Sequence, residues 1–218
     1  EKTHELYGRY RDAFSAGFRD GYAQTVAAGD IRVIDGLSEE RPLGVDFHHR
    51  LEEEQRAVGL KVWSYAEPVP LSDRVPVLEN MGFRVVDERT YHIQPEGHAG
   101  AWFHDMLLER RDGAAIELDD GKARLEAAFL MVMRGQAEND GYNALTLIGG
   151  LGWRDVALMR TVSRFLRQAR VPYSQDYMWA TLVKHSAIAA DVVALFHARF
   201  DPRGDDGRDA RQSEIAKR

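Results

Sequence analysis

The hydrophobic period of the chain changes between residues 59 and 110, and this change restricts the possible folds more than any other feature. Apolar and polar residues alternate over 60–65, which predicts a strand. Two further strands are predicted over 83–93 and 101–110, separated by a turn at 95–100 that contains proline and glycine. With a helix between the first two strands, the order β-α-β-β is typical of the split βαβ unit of ferredoxin-like modules.

The helix between the first and second strands is delimited by its terminal residues. Ser72 is predicted to be the N-cap, because its hydroxyl can accept a hydrogen bond from a backbone N–H of the first turn. Pro76 falls in that predicted first turn, where its missing N–H removes at most one helical hydrogen bond. Apolar positions continue to Met81, and Gly82 supplies a left-handed C-terminal stop.

The residues before this module follow less regular patterns. Aromatic residues at spacings of three and four predict one amphipathic helix over 3–28, ended by Gly29-Asp30, with the aromatic stripe in the core. Residues 30–45 are predicted to be an irregular connector, because glycine and proline interrupt them. Residues 47–58 fit a short helix or a strand, and both interpretations stay open.

From residue 117 the pattern is helical, and residues 117–200 are predicted to form a small bundle with short loops. The most amphipathic helix starts at Trp153 and ends before Pro172, and Ser174 caps the next helix. Its predicted apolar side comprises Leu158, Val162, Phe165, Leu166 and Ala169. The run Gly149–Gly152 follows a segment with a helical pattern, so it indicates helix punctuation and not a dinucleotide-binding loop.

These patterns predict an α+β protein in which a ferredoxin-like βαββ module precedes a small helical bundle. The predicted parts are a helical lead-in and connector (1–58), the α/β module (59–116), the helical domain (117–200) and a charged, flexible tail (201–218). The tail is so rich in charge that it is interpreted as a solvated linker or a frayed helix.

Composition excludes several classes of function. The chain has 29 basic and 35 acidic residues, a formal charge of −6, so binding to nucleic acid is not expected. It has no cysteine, which removes thiolate zinc sites and cysteine nucleophiles and fits a reducing compartment, predicted to be the cytoplasm. No apolar run approaches the ~18 residues of a membrane helix, so no membrane partner is expected. Because the first residue is Glu1, the chain is interpreted as a piece of a longer polypeptide.

The histidines and carboxylates do not form a recognisable catalytic or metal site. His48-His49, His98 and His104 show no metal-ligand spacing, so no metal is expected. No pair of carboxylates is placed so that the two can share a proton.

The loop before the predicted module helix is one candidate site. It contains Pro70, Leu71, Ser72 and Asp73. Backbone N–H groups at a helix start can hold a small carboxylate, which would make these residues a ligand site. Ordinary capping of the helix is the alternative interpretation.

Arginines in the helical half form the second candidate site. Arg160, Arg164 and Arg167 recur at helical spacing, opposite the predicted apolar side. A solvated face is one interpretation. The other is an interface with the acidic first half or with another subunit.

Several runs, in this order along the chain, resemble the large bacterial NAD-specific glutamate dehydrogenases. The runs are Pro70–Asp73, Val75–Gly82, Arg84–Arg89, Asn139–Asn143, Gly152–Val156, Arg164–Gln168 and Pro172–Gln175. The resemblance covers roughly residues 55–202. It implies that 59–116 is an ACT-like module and that the following helices resemble the helical linker region of that family.

The resemblance also implies a parent reaction, in which L-glutamate, NAD and water give 2-oxoglutarate, ammonia and NADH. The family's catalytic lysine and aspartate and its nucleotide-binding fold have no counterpart in this chain, so no cofactor is expected to bind this segment, although the parent uses NAD. In ACT modules, amino acids commonly bind at the strand-to-helix loop or at a paired interface.

The sequence therefore predicts a non-catalytic regulatory or structural part of such an enzyme, with an amino acid as a possible effector. Its expected partners are the catalytic domain of the same polypeptide and further copies in a homo-oligomer. The first alternative is a ligand-free scaffold for oligomerisation or interaction, and the second is an independent enzyme.

Overall fold

The computed structural model describes Leu6 and residues 8–50, 56–202 and 207–217. The chain divides into two compact units. The first comprises the described residues of Glu1–Val75 and Arg84–Leu118, and the second those of Pro76–Phe83 and Asp119–Arg218. Part of the segment left open as helix or strand, residues 51–55, lies outside the described residues.

The first unit contains a four-stranded sheet. Its strands are β1 (Leu43–His49), β2 (Ala57–Tyr65), β3 (Phe83–Ile93) and β4 (Ala101–Arg110), in the order β1-β2-β4-β3. β1 pairs antiparallel with β2, and β2 pairs antiparallel with β4. Because β4 lies between β2 and β3, the helix that links those two strands makes the predicted split βαβ crossover. The α+β fold class is confirmed.

β1 is a strand that the sequence patterns assigned in part to a connector and otherwise left open. Phe47 of this strand is fully buried. Gly44, which suggested irregular structure, stands opposite Trp63 in the ladder with β2. A Cβ atom on Gly44 would lie 2.6 Å from Cγ1 of Val33. The glycine is thus explained by close packing against this strand, and not by a turn.

The single helix predicted over 3–28 is wrong. Among the described residues, 8–10 are helical, and two further helices follow separately, α1 (Ala16–Gly21) and α2 (Gln24–Ile34). Gly29 and Asp30 lie inside α2 and do not end it. Tyr10, Phe14 and Phe18 of the aromatic stripe are nevertheless buried, as predicted, because they pack against the sheet. The core of this unit consists of Tyr10, Ala13, Phe14, Phe18, Ile34, Leu37, Trp63, Ile93, Ala101 and Phe103.

The crossover helix α3 (Leu71–Asn80) starts at Leu71, before the predicted N-cap Ser72, so Ser72 lies inside the helix and does not cap it. The carbonyl of Pro70 accepts the N–H of Asp73. Pro76 lies inside the helix and not in its first turn. Gly82 follows with φ of +92°, which confirms the predicted left-handed stop.

The second unit is helical among the residues that the structure describes. After α4 (Lys122–Met133), a 3₁₀ turn (Gly141–Asn143) leads into α5 (Ala144–Ile148). Three longer helices follow, α6 (Trp153–Gln168), α7 (Gln175–Lys184) and α8 (Ser186–Phe200). The sequence allowed a solvated linker or a frayed helix for the tail, and the structure has a helix there, α9 (Arg208–Ile215).

The core of the helical unit shows a different buried side of α6 from the predicted one. The residues of α6 that are buried are Val156, Met159, Arg160 and Ser163, whereas Phe165 is 65% exposed. Val156 and Met159 pack with Tyr142 and Leu145 and with Ala189 and Val193 of α8. The glycines at 149–152 lie between two helices, as the punctuation interpretation predicts.

Buried polar residues tie α3 to the sheet of the first unit. Arg74 is 2% exposed and donates to Glu88 on β3, while its Nη1 lies 3.5 Å from Nε2 of His104 on β4. Since a guanidinium has no acceptor, Nε2 must be the acceptor. The proton of His104 is then on Nδ1, which donates to Thr90 Oγ1 at 2.8 Å, and Thr90 in turn donates to Glu88.

The hydrogen bonds that link Arg74, His104, Thr90 and Glu88 predict that acid destabilises the first unit. Burial, and then the charge of Arg74, lower the pKa of His104 to about 4. Below pH 6.5 His104 is protonated in the unfolded chain but stays neutral in the folded one. The contribution of His104 to the free energy of unfolding is therefore complete above pH 6.5, and up to about 3 kcal/mol is lost as the pH falls towards 4. Urea unfolding between pH 4 and 7 measures this. His104→Gln should flatten the profile in that window, and an unchanged profile would contradict the assignment.

Within the described residues, no single helix is long and apolar enough to cross a bilayer. Taken together, α7 and α8 have the length and apolar composition of such a helix, but the two are bent by 95° relative to each other.

Candidate functional site

The predicted ligand loop is an open surface. Pro70, Leu71, Ser72 and Asp73 are all exposed, and Ser72 Oγ donates to Asp73 Oδ1 at 3.2 Å. The N–H of Asp73 is already bonded to the carbonyl of Pro70. A ligand at this loop stays a prediction.

A charged pocket of about 420 Å³ lies elsewhere in the first unit, where the two N-terminal helices meet the sheet. It collects side chains from all four strands or their ends and from the helix pair. The lining residues are Gly21, Tyr22, Val26, Asp46, His48, Arg50, Lys61, Arg89 and Asp105. We call it the helix–sheet pocket.

The strand register places opposite charges side by side in the helix–sheet pocket. Asp46 on β1 is the partner of Lys61 on β2, and Lys61 is the partner of Asp105 on β4. Residues directly opposite on neighbouring strands share a face, with Cβ atoms about 5 Å apart. An acid–base–acid row therefore crosses three strands at the floor of the pocket.

Lys61 is the central residue of this row. It is 7% exposed, and its Nζ donates to Oδ1 of Asp30 in α2 at 2.8 Å. Asp30 is 3% exposed and its Oδ2 has no hydrogen-bond partner, and burial raises the pKa of its carboxyl group. Nζ also lies 5.6 to 5.9 Å from the ring centroids of Tyr22, Trp63 and Phe103. These rings stabilise the ammonium by cation–π contact.

Asp105 makes the second link between helices and sheet. Its Oδ2 accepts from the hydroxyl of Tyr22 at 2.5 Å, and its Oδ1 accepts from Nη2 of Arg50 at 2.8 Å. Burial raises the pKa of Tyr22, and the hydrogen bond to Asp105 raises it further. Tyr22 is therefore a neutral hydrogen-bond donor at physiological pH.

His48 forms one wall of the helix–sheet pocket. Its ring lies over Gly59, where a Cβ atom would be 2.3 Å from Nε2, so only glycine leaves room for it. Burial, and then the charge of Lys61, lower the pKa of His48, which keeps the ring neutral at pH 7. Its Nδ1 is buried without a hydrogen-bond partner and lies 3.6 Å from Oδ2 of Asp46. The neutral ring thus closes one side of the pocket.

The pocket is suited to binding. Its acids and bases are interleaved, so it offers hydrogen-bond partners to a cationic and an anionic group of one small molecule. Among the described residues, no three His, Asp or Glu side chains are arranged to hold a metal ion. Sequence reasoning missed this pocket, although alternation over 60–65 placed Lys61 on one face of its strand.

The predicted arginine cluster separates into one buried and two exposed residues. Arg160 is 4% exposed, with Nε and Nη2 donating to the two carboxylate oxygens of Asp140 at 2.7 and 2.8 Å. Arg164 forms a two-bond ion pair with Glu138, which lowers the pKa of that carboxyl group. Arg167 donates to Gln175 at 3.0 Å.

The two exposed arginines line a groove of about 740 Å³ in the helical unit, together with Asp140, Gln168, Gln175, Asp176 and Trp179. Arg160, by contrast, is buried, and its guanidinium is bonded to Asp140 of the same unit. A role of these arginines at an interface stays a prediction.

Two family descriptions match the chain. The glutamate dehydrogenase ACT3 domain matches residues 42–121, and the glutamate dehydrogenase helical motif 3 matches residues 137–202. The first match begins just before β1, and the second contains α6, α7 and α8.

The chain is similar to three curated proteins, each named NAD-specific glutamate dehydrogenase. Identity is 38% with that of Halomonas elongata, 35% with that of Pseudomonas aeruginosa and 29% with that of Mycobacterium tuberculosis. The alignments cover 93%, 86% and 88% of this chain, respectively. In each case the chain spans only 12% of the relative's length.

Proposed function

We propose that this chain, which belongs to the glutamate dehydrogenase family, is a non-catalytic regulatory part of a large NAD-specific enzyme. It carries the ACT3 domain and helical motif 3 of that family, which fit an N-terminal region of such an enzyme. The observation that carries the regulatory role is the helix–sheet pocket. The parent would oxidise L-glutamate to 2-oxoglutarate with NAD, and the cofactor and the substrate would bind outside these 218 residues.

The proposed effector is an amino acid in its zwitterionic form. Its carboxylate would bind near Lys61 and Arg50, and its ammonium near Asp46 and Asp105. A simple anion would meet these acids, and a simple cation would meet the bases, so neither is favoured by the lining.

The position of the helix–sheet pocket gives a route from binding to a change of structure. The links Asp30–Lys61 and Tyr22–Asp105 both join the N-terminal helix pair to the sheet, and both end in the pocket. A ligand that takes over one of these partners alters how firmly the helices are held. Coupling of about 1 to 3 kcal/mol between two states is sufficient for allosteric control.

Calorimetric titration with a panel of amino acids tests the proposal, with NAD as a control ligand. We expect saturable binding of one amino acid, weakened about tenfold or more by Asp46→Asn or Arg50→Gln, because each removes a charge-assisted hydrogen bond of about 1.5 kcal/mol or more. Ser72→Ala and Asp73→Ala are matched controls on the exposed loop and should leave affinity unchanged.

The reverse pattern, in which only the loop variants weaken binding, would place the ligand at residues 70–73. Binding of NAD by this chain would contradict the non-catalytic assignment. Failure of every amino acid to bind a folded protein would favour the alternative function, a ligand-free scaffold, for which concentration-dependent size is the direct measurement.

The remaining parts of the proposal concern the whole enzyme. We propose that this part contacts the catalytic domain of the same polypeptide, that the enzyme is a homo-oligomer, and that it acts in the cytoplasm without nucleic-acid or membrane partners. An acidic chain with a charge of −6 supports the exclusion of nucleic acid.

A further inference from the structure

One side of α8 exposes apolar residues at regular helical spacing. We call Ile188, Val192, Phe196 and Phe200 the α8 stripe; they are between 39% and 61% exposed. Successive members are four residues apart, so they are neighbours along the helix surface. The rings of Phe196 and Phe200 are 4.9 Å apart. The stripe is thus a continuous apolar strip.

The stripe is separate from the residues that hold α8 in its own unit. Ala189 and Val193 are buried in the helical core, at 0% and 4% exposure. The helix therefore already has a packed side, and the stripe adds apolar surface beyond what the unit itself covers. Ridges of residues four apart are also the usual contact surface between packed helices.

The size of the stripe favours a tethered partner over a second copy. Two of the four residues are aromatic, with side chains of about 150–250 Å² each, and Ile188 and Val192 are somewhat smaller. With 39% to 61% of each residue exposed, the four together expose roughly 400 Å². A stable pair of separate molecules needs about 800 Å² on each partner. A segment of the same polypeptide needs less, because tethering raises its effective concentration to about the millimolar range.

The length of the relatives indicates where such a segment can come from. The relatives are long proteins of which this chain spans 12%, so most of a polypeptide of that length lies outside these residues. We propose that the α8 stripe is the docking surface for another segment of the longer polypeptide, which presents the apolar face of an amphipathic helix. This inference rests on membership of a longer chain and does not depend on an effector.

Cysteine labelling tests this docking, since the 218 residues contain no cysteine. Val192→Cys places a thiol in the stripe. Ala194→Cys is the matched control, an exposed position on the same helix that points away from the stripe. Alkylation rates are read on the labelled peptide by mass spectrometry, in the 218-residue chain and in the full-length polypeptide that contains it.

Labelling at position 192 should be about tenfold slower in the full-length polypeptide at every protein concentration, because a tethered segment that occupies the stripe about nine-tenths of the time protects it to that extent. Labelling at 194 should be unchanged. Phe196→Ser in the full-length polypeptide should restore rapid labelling at 192.

Three results would overturn the proposal. Equal rates at 192 in both proteins would show an uncovered stripe. Protection that appears only as the concentration of the 218-residue chain rises would identify a second copy. Protection that requires added phosphatidylglycerol vesicles would identify a lipid surface.

Discussion

Lys61→Met is expected to lower the free energy of unfolding of the first unit by about 3 to 5 kcal/mol at pH 7, because it leaves the carboxylate of Asp30 buried without its cation. The two side chains are 9% and 4% exposed, and Nζ and Oδ1 are 2.8 Å apart. Methionine preserves most of the length and apolar volume of lysine, so the loss reports on charge and not on a cavity. Urea unfolding followed by hydrogen exchange of the β2 peptides measures it.

The dependence of that loss on pH identifies its cause. Burial already raises the pKa of Asp30, and removal of Lys61 raises it further. The cost of the charged carboxylate is therefore complete above this raised pKa, and it is relieved as the pH falls through it and Asp30 is protonated in the folded state. The difference between Lys61→Met and the unmodified chain should therefore shrink as the pH falls below 7.

A double variant provides the control. Lys61→Met combined with Asp30→Leu replaces both charges by apolar groups, and such replacements of buried ion pairs are often neutral or stabilising. The double variant should therefore recover most of the stability that the single variant loses. A double variant as unstable as Lys61→Met would show that the loss comes from packing around the substituted side chain and not from the unpaired carboxylate of Asp30.

The strands β2, β3 and β4 and the crossover helix could be predicted because each has a local signal. Alternation predicted β2, and Gly82 predicted the end of α3, since a left-handed residue there favours glycine. β1 carried a contrary signal, because Gly44 is explained by a close approach of Val33 that depends on tertiary packing. Similarly, the N-terminal aromatic spacing identified core residues correctly but not the break between α1 and α2.

The helix–sheet pocket could not be predicted, because its charges come from distant parts of the sequence. Asp30 is 31 residues from Lys61 and was interpreted as the end of a helix. Asp46 lay at the border of a predicted connector, and only the register of β1 on β2 brings it beside Lys61. Alternation places a lysine on one face of a strand, but it does not say that helices cover that face.

α6 shows the same limit for a helix. Its hydrophobic pattern favoured a side containing Phe165, yet the buried side contains Arg160. A buried arginine is compatible with folding when its donors are satisfied, and here the acceptors come from the preceding 3₁₀ turn region. The helical wheel assigns every arginine to solvent, so it cannot detect a partner such as Asp140.

Arg160→Met should therefore have a large effect on the helical unit. Besides Asp140, the guanidinium donates to the side chain of Asn143 at 3.0 Å and to the carbonyl of Glu138 at 3.4 Å. The substitution leaves the half-buried carboxylate of Asp140 without its cation and the side-chain oxygen of Asn143 without this donor, whereas the Glu138 carbonyl still accepts from Nδ2 of Asn143. We expect the free energy of unfolding of this unit to fall by about 3 kcal/mol or more. Denaturation followed by hydrogen exchange of the α6 peptides measures the loss.

Arg164→Met is the matched control, one turn further along α6. Arg164 and Glu138 are about half exposed, and an exposed ion pair is screened by water and contributes little to stability. The midpoint of unfolding should therefore stay close to that of the unmodified chain. Equal losses for the two variants would show that α6 responds to any loss of positive charge, whereas a loss confined to Arg160→Met shows that burial makes the contact with Asp140 essential to this unit.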